Sequence, residues 1–228
     1  MKWILCTLVW MTALISVGCS NHPPSASQFM NIKEGTNFGV AVSGRVGNVY
    51  DSSYVYDVSD KASISLEEGH WNLELSLYNQ ISYFVLGFDV ENYTPRLALG
   101  ARTNYWGALF WVGFVYAAFE QDKPQRKMYP LGFMLVEQLP ISENLKIGIS
   151  EHISRNTYQV VDDPGCCSVN DVYGDVYSEI GAGAYITYGP LSAEFRYGKE
   201  LGAPRNRFYF ILNYGWNFPL GSSKIRKD

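Results

Sequence analysis

The chain has 228 residues, of which 15% are aromatic and 18% are charged, and its formal net charge is −4. It carries no basic stripe, so nucleic acid is not expected as a partner. Beyond the N-terminal region, no stretch holds the roughly 20 apolar residues that a membrane-spanning helix needs. The sequence therefore disfavours both a nucleic-acid-binding protein and a bundle of membrane helices.

Residues 1–18 have the layout of a secretory signal peptide. Lys2 precedes an apolar run that ends at Val17 and is short for a membrane-spanning helix. The run leads into Ser-Val-Gly-Cys19, which resembles the cleavage box of bacterial lipoproteins. This resemblance implies that Cys19 is lipidated and becomes the mature N-terminus. Ordinary cleavage further on, around Ala26, is the alternative.

Residues 19–36 are expected to form a periplasmic tether. Their first part reads Cys-Ser-Asn-His-Pro-Pro-Ser-Ala-Ser and offers few side chains that could build an apolar core. At the other end of the chain, residues 219–228 are expected to form a short polar C-terminal tail. One domain over residues 37–218 therefore remains between these two segments.

Within this domain, large apolar side chains alternate with polar or small ones along most of the sequence. A period of two predicts strands, because successive side chains of a strand point to opposite faces. In residues 191–198, for example, Ala193 and Phe195 share one face and Ser192 lies on the other. The second and third of about twelve predicted strands are weakly patterned, so ten strands are the alternative. The predicted strands are 38–46, 49–58, 61–67, 71–78, 81–90, 96–105, 108–119, 129–139, 145–155, 175–188, 191–200 and 207–218.

This alternation is typical of a transmembrane β-barrel, in which apolar side chains face lipid and polar or small ones face the lumen. The 17 tyrosines and 6 tryptophans suit the membrane–water interfaces, where both residue types are enriched. An even number of strands in a closed sheet leaves no unpaired edge in lipid. The predicted fold class is all-β, a closed antiparallel transmembrane β-barrel of about 10–12 strands. It resembles the barrels of the Gram-negative outer membrane, and this resemblance implies an outer-membrane location.

The lengths of the predicted links indicate which end of the barrel faces the periplasm. Short links at Asn79-Gln80, Trp106-Gly107, residues 140–144 and Gly189-Pro190 alternate with longer ones, of which 156–174 is the longest. Outer-membrane barrels have short periplasmic turns and longer extracellular loops. Both termini are therefore expected in the periplasm, where a lipidated Cys19 would anchor in the inner leaflet of the outer membrane.

Charged residues of both signs fall on the parity assigned to the lumen. Two interpretations are open: a polar core of ion pairs that plugs a narrow barrel, or a selectivity lining for a small polar solute. Interior width grows with strand number, and a barrel of twelve strands suits either interpretation. The predicted lumen residues are Arg45, Glu74, Asp89, Arg96, Arg102, Glu179, Glu194, Arg196 and Arg207.

Residues 145–156 contain His152-Ile-Ser154-Arg-Asn. This stretch resembles the strand end of lipid A 3-O-deacylases, outer-membrane barrels with a His-x-Ser-Asn motif. The resemblance implies that His152 is a catalytic base and Ser154 a nucleophile, although Arg155 stands at the position of the motif's Asn. Residues i and i+2 of a strand share a face, and this pair shares the parity assigned to the lumen. Attack on a membrane lipid needs the lipid face, so the orientation of His152 discriminates between catalysis and a structural role.

No cofactor or metal ion is expected. His22 and His70 have no partners at metal-ligand spacing, and the chain has no CxxC pair. The adjacent Cys166 and Cys167 are expected to form a strained vicinal disulfide or an intermolecular one in an oxidising exterior.

The predicted function is a structural, narrow-channel or surface-interaction role, with outer-membrane lipid as a partner and a small polar solute or lipid A as a further one. The alternative is a hydrolase of lipid A or phospholipid.

Overall fold

The computed structural model describes residues 22–47, 70–91, 94–113, 129–161, 172–202 and 206–218. These residues form one short helix and ten strands. No helix among them is long and apolar enough to cross a membrane. In chain order the elements are α1 (Ala26–Met30), β1 (Gly35–Gly47), β2 (His70–Ile81), β3 (Phe84–Glu91), β4 (Thr94–Arg102), β5 (Trp106–Gly113), β6 (Leu131–Pro140), β7 (Leu145–Val161), β8 (Val172–Tyr188), β9 (Leu191–Leu201) and β10 (Asn206–Phe218).

The ten strands close into one antiparallel barrel. Each strand pairs with its neighbours in the sequence, and β1 completes the circle by pairing with both β2 and β10. At this closure Thr36 lies opposite Phe218 and Gly47 lies opposite Arg207. Because the circle leaves no free edge among these strands, their backbone groups are paired within the sheet, as a lipid environment requires.

The predicted closed antiparallel barrel is therefore confirmed, with ten strands, the lower of the two predicted numbers. Ten of the predicted segments correspond to the ten observed strands, whose ends differ by a few residues. The two weakly patterned segments, 49–58 and 61–67, lie outside the described residues, as do residues 114–119 of another predicted strand.

The two ends of the barrel differ in the lengths of their links. At the short-turn end, strands are joined by residues 82–83, 103–105, 141–144 and 189–190. At the opposite end, which we call the long-link end, the gaps between strands include residues 48–69, 114–130 and 162–171. Under the usual orientation of outer-membrane barrels, the short-turn end faces the periplasm.

Two short links are shifted from their predicted positions. β2 continues through the predicted turn at Asn79-Gln80, and the chain reverses at residues 82–83, where Ser82 has a φ of 57°. The next reversal at the short-turn end uses residues 103–105, so Trp106 begins β5 instead of forming the turn. Both predictions were wrong for the same reason, because the residues of a strand that reach the membrane surface are as polar or as aromatic as those of a turn.

The outer wall is a belt of exposed apolar side chains to which every strand contributes. Such a belt matches hydrocarbon and would be unfavourable in water. Two exposed carboxylates, Glu137 and Glu151, interrupt it on β6 and β7. Representative belt residues are Phe38, Leu77, Leu86, Leu99, Phe110, Phe133, Ile149, Ile186, Phe195 and Phe210.

Candidate functional site in the barrel lumen

The lumen is occupied by the chain's own N-terminal segment, residues 22–34, which we call the plug. It consists of an irregular stretch, the helix α1, and a second irregular stretch that leads into β1. Every residue from His22 to Met30 is buried, and α1 contacts β6, β8, β9 and β10. The plug therefore lies inside the barrel wall.

This arrangement differs from the tether predicted for residues 19–36, as far as residues 22–36 are concerned. The tether was inferred because the segment has few apolar side chains. Such a segment can be buried in a polar lumen, because the hydroxyl and carbonyl groups of the segment can bond to charged wall residues. One signal pointed to structure here: Ser25-x-x-Gln28 matches a helix capping box, and Phe29 and Met30 follow it.

A capped helical turn shapes the centre of the plug. Ser25 is the N-cap: its Oγ accepts a hydrogen bond from the N–H of Gln28 at 3.2 Å, and its carbonyl accepts one from the N–H of Phe29 at 3.1 Å. An N-cap serine stabilises a helix by about 1 kcal/mol. Because α1 has only 5 residues, its stability depends on packing against the barrel.

The plug crosses the lumen from one end to the other. The backbone N–H of His22 donates to Glu91 Oε2 at 2.9 Å, and Glu91 is the last residue of β3, at the long-link end. Asn31 lies at the short-turn end, where its Nδ2 donates to the carbonyl of Gly189 at 2.9 Å. The chain therefore descends from the long-link end to the short-turn end before it turns back into β1.

Arg96, which is 0% exposed, is the centre of a charged cluster near the first residue of the plug. Its guanidinium contacts Asp89, lies 2.8 Å from Glu91 and lies 3.1 Å from Glu74. It also donates to the carbonyl oxygen of His22, and the His22 ring contacts Glu91. Through this Arg96 cluster, residues of β2, β3 and β4 thus hold the plug at the long-link end. We call this end of the plug its upper end.

A second cluster, on β9, holds the residues that follow. The Nε of Arg196 contacts Glu194, and its terminal nitrogens donate to the carbonyl oxygens of Pro23 at 2.8 Å and Pro24 at 2.5 Å. Glu194 accepts a hydrogen bond from Ser25 Oγ at 2.9 Å. Charged wall residues therefore bind the plug mainly through its backbone and its serine side chains, which explains how a segment with few apolar residues is held here.

The other predicted lumen residues lie on the inner face wherever their side chains are described. Arg102 donates to the carbonyl of Ile32, near the lower end of the plug. Arg207 pairs with Glu200 at 2.8 Å. Arg45 lies in β1, but its side chain is outside the described part of the structure. The wall charges whose side chains are described are thus engaged with one another or with the plug.

Apolar plug residues pack in the half of the lumen nearer the short turns. Phe29 and Met30 belong to a buried cluster that includes Leu109 and Trp111 of β5. The wall provides room for them at Gly107, where a Cβ atom would lie 2.6 Å from Phe29 Cε1 and 2.8 Å from Met30 Sδ. A glycine is needed there because the plug approaches the wall so closely.

Replacing Gly107 by Ala should loosen the plug. The new Cβ requires Phe29 and Met30 to shift, and over-packing of this kind costs about 1–3 kcal/mol. We expect hydrogen exchange at the amide of Phe29, which bonds to the carbonyl of Ser25, to become about tenfold faster or more. Gly215→Ala is the matched control, because the nearest atom to a Cβ there lies at 4.0 Å. Equal exchange rates in the two variants would contradict the proposed contact.

His152 and Ser154 both lie on the lumen face of β7, where each is 3% exposed. His152 Nε2 lies 2.9 Å from Glu179 Oε1, and the hydroxyl of Tyr209 donates to Glu179 Oε2 at 2.7 Å. Within the described residues, Ser154 Oγ has no hydrogen-bond partner, so no hydrogen bond joins it to His152. The outer face of β7 at this level is formed by Ile153. From this position, the pair cannot contact membrane lipid.

The acidic partner of His152 comes from the neighbouring strand. In the β7–β8 register Ser154 lies opposite Glu179, and His152 lies opposite Gly181. Sequence spacing could not indicate this partner, because a long link separates the two strands. A Ser–His–acid relay needs an imidazole that contacts both other groups. Here Glu179 is the only hydrogen-bond partner of the imidazole among the described residues, as expected for a histidine with a structural role.

Open space in the lumen lies toward the short-turn end. One cavity of about 430 Å³ is lined by Gln28 and Asn213 among others. A second, of about 440 Å³, is lined by residues that include Lys33, Arg102 and Lys146. Neither cavity is lined by the described members of the Arg96 cluster or by Arg196 and Glu194. These two cavities therefore lie away from the charged clusters that hold the start of the plug.

Comparisons with known proteins give similarity to solved barrels alone. No protein-family model matches the sequence, and no curated protein matches it. Neisserial surface protein A is 12% identical with a TM-score of 0.44, over 81% of this chain and 98% of that chain. The N-terminal β-barrel domain of OprF from Pseudomonas aeruginosa is 6% identical with a TM-score of 0.36, over 81% and 100%. Ail from Yersinia pestis, in complex with the heparin analogue sucrose octasulfate, is 8% identical with a TM-score of 0.36, over 81% and 100%.

At these identities and TM-scores, the similarity supports no conclusion about this chain. Its assignment rests on its own architecture. The described strands close into an antiparallel barrel, the outer face is apolar, and the interior holds the plug and many buried polar and charged side chains. This combination is that of bacterial outer-membrane proteins, in which the apolar face meets lipid. The chain is thus an outer-membrane β-barrel protein in architecture.

Proposed function

We propose that this protein is a closed outer-membrane barrel that has a structural or surface-interaction role. Its plug seals the lumen, its belt binds the surrounding outer-membrane lipid, and its long links are the part available to partners outside the cell. The observation that supports this proposal most is the burial of every residue from His22 to Met30 inside the wall.

The burial and bonding of the wall charges favour a sealed lumen rather than an open channel. The lining charges of a channel face water and solute. Here Arg96, Arg196 and Glu194 are at most 1% exposed, and all three are bonded to the plug or to one another. Buried charges without partners are costly, so the plug and the wall stabilise each other. A small polar solute could pass only after the plug had left the lumen.

The position of His152 and Ser154 disfavours the alternative, lipid hydrolysis. A nucleophile and its base must reach the scissile ester together. His152 and Ser154 lie inside the barrel, and His152 contacts Glu179 instead of Ser154.

Planar-bilayer recordings test the closed state. We expect full-length protein to insert without stable ion-conducting steps, because the plug runs through the lumen and its residues from His22 to Met30 are buried. A variant that lacks residues 22–31 should conduct, since both charged clusters then face an open passage. Resistance of the inserted barrel to protease verifies that each variant is folded. Stable conductance of the full-length protein at the level of the deletion variant would contradict the proposal.

A further inference from the structure

We infer that the plug threads the barrel, so that the mature N-terminus emerges at the long-link end and is displayed on the cell surface. This inference rests on the proposed closed barrel and extends it. It differs from the expectation that both termini lie in the periplasm. The C-terminal strand ends at the short-turn end, where Phe218 lies opposite Thr36, but the plug starts at the opposite end.

The first observation that supports the inference is the end of the barrel at which the plug starts. At its start, Asn72 Nδ2 contacts the His22 ring at 2.6 Å, and Asn72 is near the first residue of β2. Glu91, which also holds His22, is the last residue of β3. Both wall residues belong to the long-link end. His22, the first described residue, therefore lies toward that end of the lumen.

The second observation is the set of contacts made by residues 22–25, because these contacts indicate where the signal peptide is cleaved. Cleavage near Ala26 would remove the carbonyl partners of Arg96 and Arg196 and the hydroxyl partner of Glu194. These wall charges would then be left with incomplete pairing in a buried setting, which is destabilising. The structure therefore favours cleavage ahead of His22, which agrees with the lipoprotein-like box that ends at Cys19 and not with cleavage near Ala26.

The third observation is the short length of chain between Cys19 and His22. A fully extended residue spans at most about 3.6 Å, so Cys19 can be no more than about 11 Å from His22. The apolar band of an outer-membrane barrel is about 25 Å tall, and the plug fills the passage back through the lumen. While the plug is in place, a lipid on Cys19 cannot reach the inner leaflet. Such a lipid would have to enter the outer leaflet, beside the long links.

Thiol labelling of intact cells tests this inference with minimal change to the chain. The variant Asn21→Cys is made in a Cys166→Ser/Cys167→Ser background and exposed to a membrane-impermeant maleimide. The background alone measures any labelling of Cys19. Glu143→Cys, an exposed residue of a short turn, marks the periplasmic side. Ser168→Cys, in the longest predicted link, marks the outer side.

We expect Asn21→Cys and Ser168→Cys to be labelled on intact cells, and Glu143→Cys only after the outer membrane is permeabilised. Mass spectrometry of the purified protein should find a mature N-terminus ahead of His22. Labelling of Asn21→Cys only after permeabilisation, or not at all, would overturn the inference, as would a mature chain that begins near Ala26. Either result could occur with a non-conducting full-length barrel, so failure of the threading is distinguishable from failure of the closed state.

Discussion

Replacing Arg96 by Met is expected to lower the free energy of unfolding by about 3–5 kcal/mol, the typical cost of removing one partner of a buried ion pair. The Met side chain retains much of the apolar stem of Arg96 but leaves Asp89, Glu91 and Glu74 without their shared cation. The carbonyl of His22 also loses its donor, so the upper end of the plug should detach. Urea titration of the protein in lipid vesicles, followed by tryptophan fluorescence, measures the loss.

Two control variants separate charge from shape. Arg155→Met removes the same group from an exposed position on β7 and should change the free energy of unfolding by less than about 1 kcal/mol. The triple variant Arg96→Met/Asp89→Asn/Glu91→Gln also neutralises two of the three carboxylates that Arg96→Met leaves without a cation, and it should recover part of the loss, since replacing the partners of a buried ion pair together is often tolerated. A triple variant as unstable as Arg96→Met would show that the shape of Arg96 matters, and not its charge.

Replacing Phe195 by Arg should destabilise the barrel by about 2–4 kcal/mol, the cost of a cation on the lipid face near the bilayer midplane. Phe195 is 52% exposed on the outer wall and lies opposite Phe210 on β10 and Ala184 on β8, in the middle of the belt. The guanidinium would have to leave water for hydrocarbon. Unfolding in urea from lipid vesicles measures this change as well.

Leu201→Arg is the matched control for Phe195→Arg. Leu201 also faces outward, on the same strand, but it is the last residue of β9 at the long-link end. A cation near the interface costs only about 0–1 kcal/mol. If the two substitutions had equal effects, the belt would not be a lipid-facing surface with Phe195 at its middle.

Ser192 would have been the obvious control from the sequence, since its parity assigns it to the lumen. In the structure it is 8% exposed, and its Oγ donates to Ser27 Oγ of the plug at 3.0 Å. An arginine at this position would displace the plug. Parity predicted its face correctly, but the sequence could not indicate that this face is occupied.

Sidedness could be predicted from the sequence because alternation is a local property of an extended chain. On β10, Phe208, Phe210 and Leu212 are exposed on the outer wall, as their shared parity indicates. The same reasoning assigned Glu74 and Arg96 to the interior, where the structure places them. None of these inferences needs information about a distant partner.

The number of strands is not a local property. The barrel closes because β1 pairs with both β2 and β10, and this register joins residues at opposite ends of the domain. Weak alternation in 49–58 and 61–67 satisfied the local criterion for a strand. Only the closure of the sheet shows that ten strands form a complete wall without them.

The sequence by itself determined that this chain is a barrel with an apolar outside and a charged inside, while the tertiary structure alone decided what fills it. Ser25 bonds to Glu194, which is 169 positions away, and His22 bonds to Glu91, which is 69 positions away. His152 likewise bonds to Glu179 of the neighbouring strand, 27 positions away. The plug has few apolar side chains, so its composition predicts exposure to water. It is buried because the charged wall supplies the hydrogen bonds that water would otherwise provide.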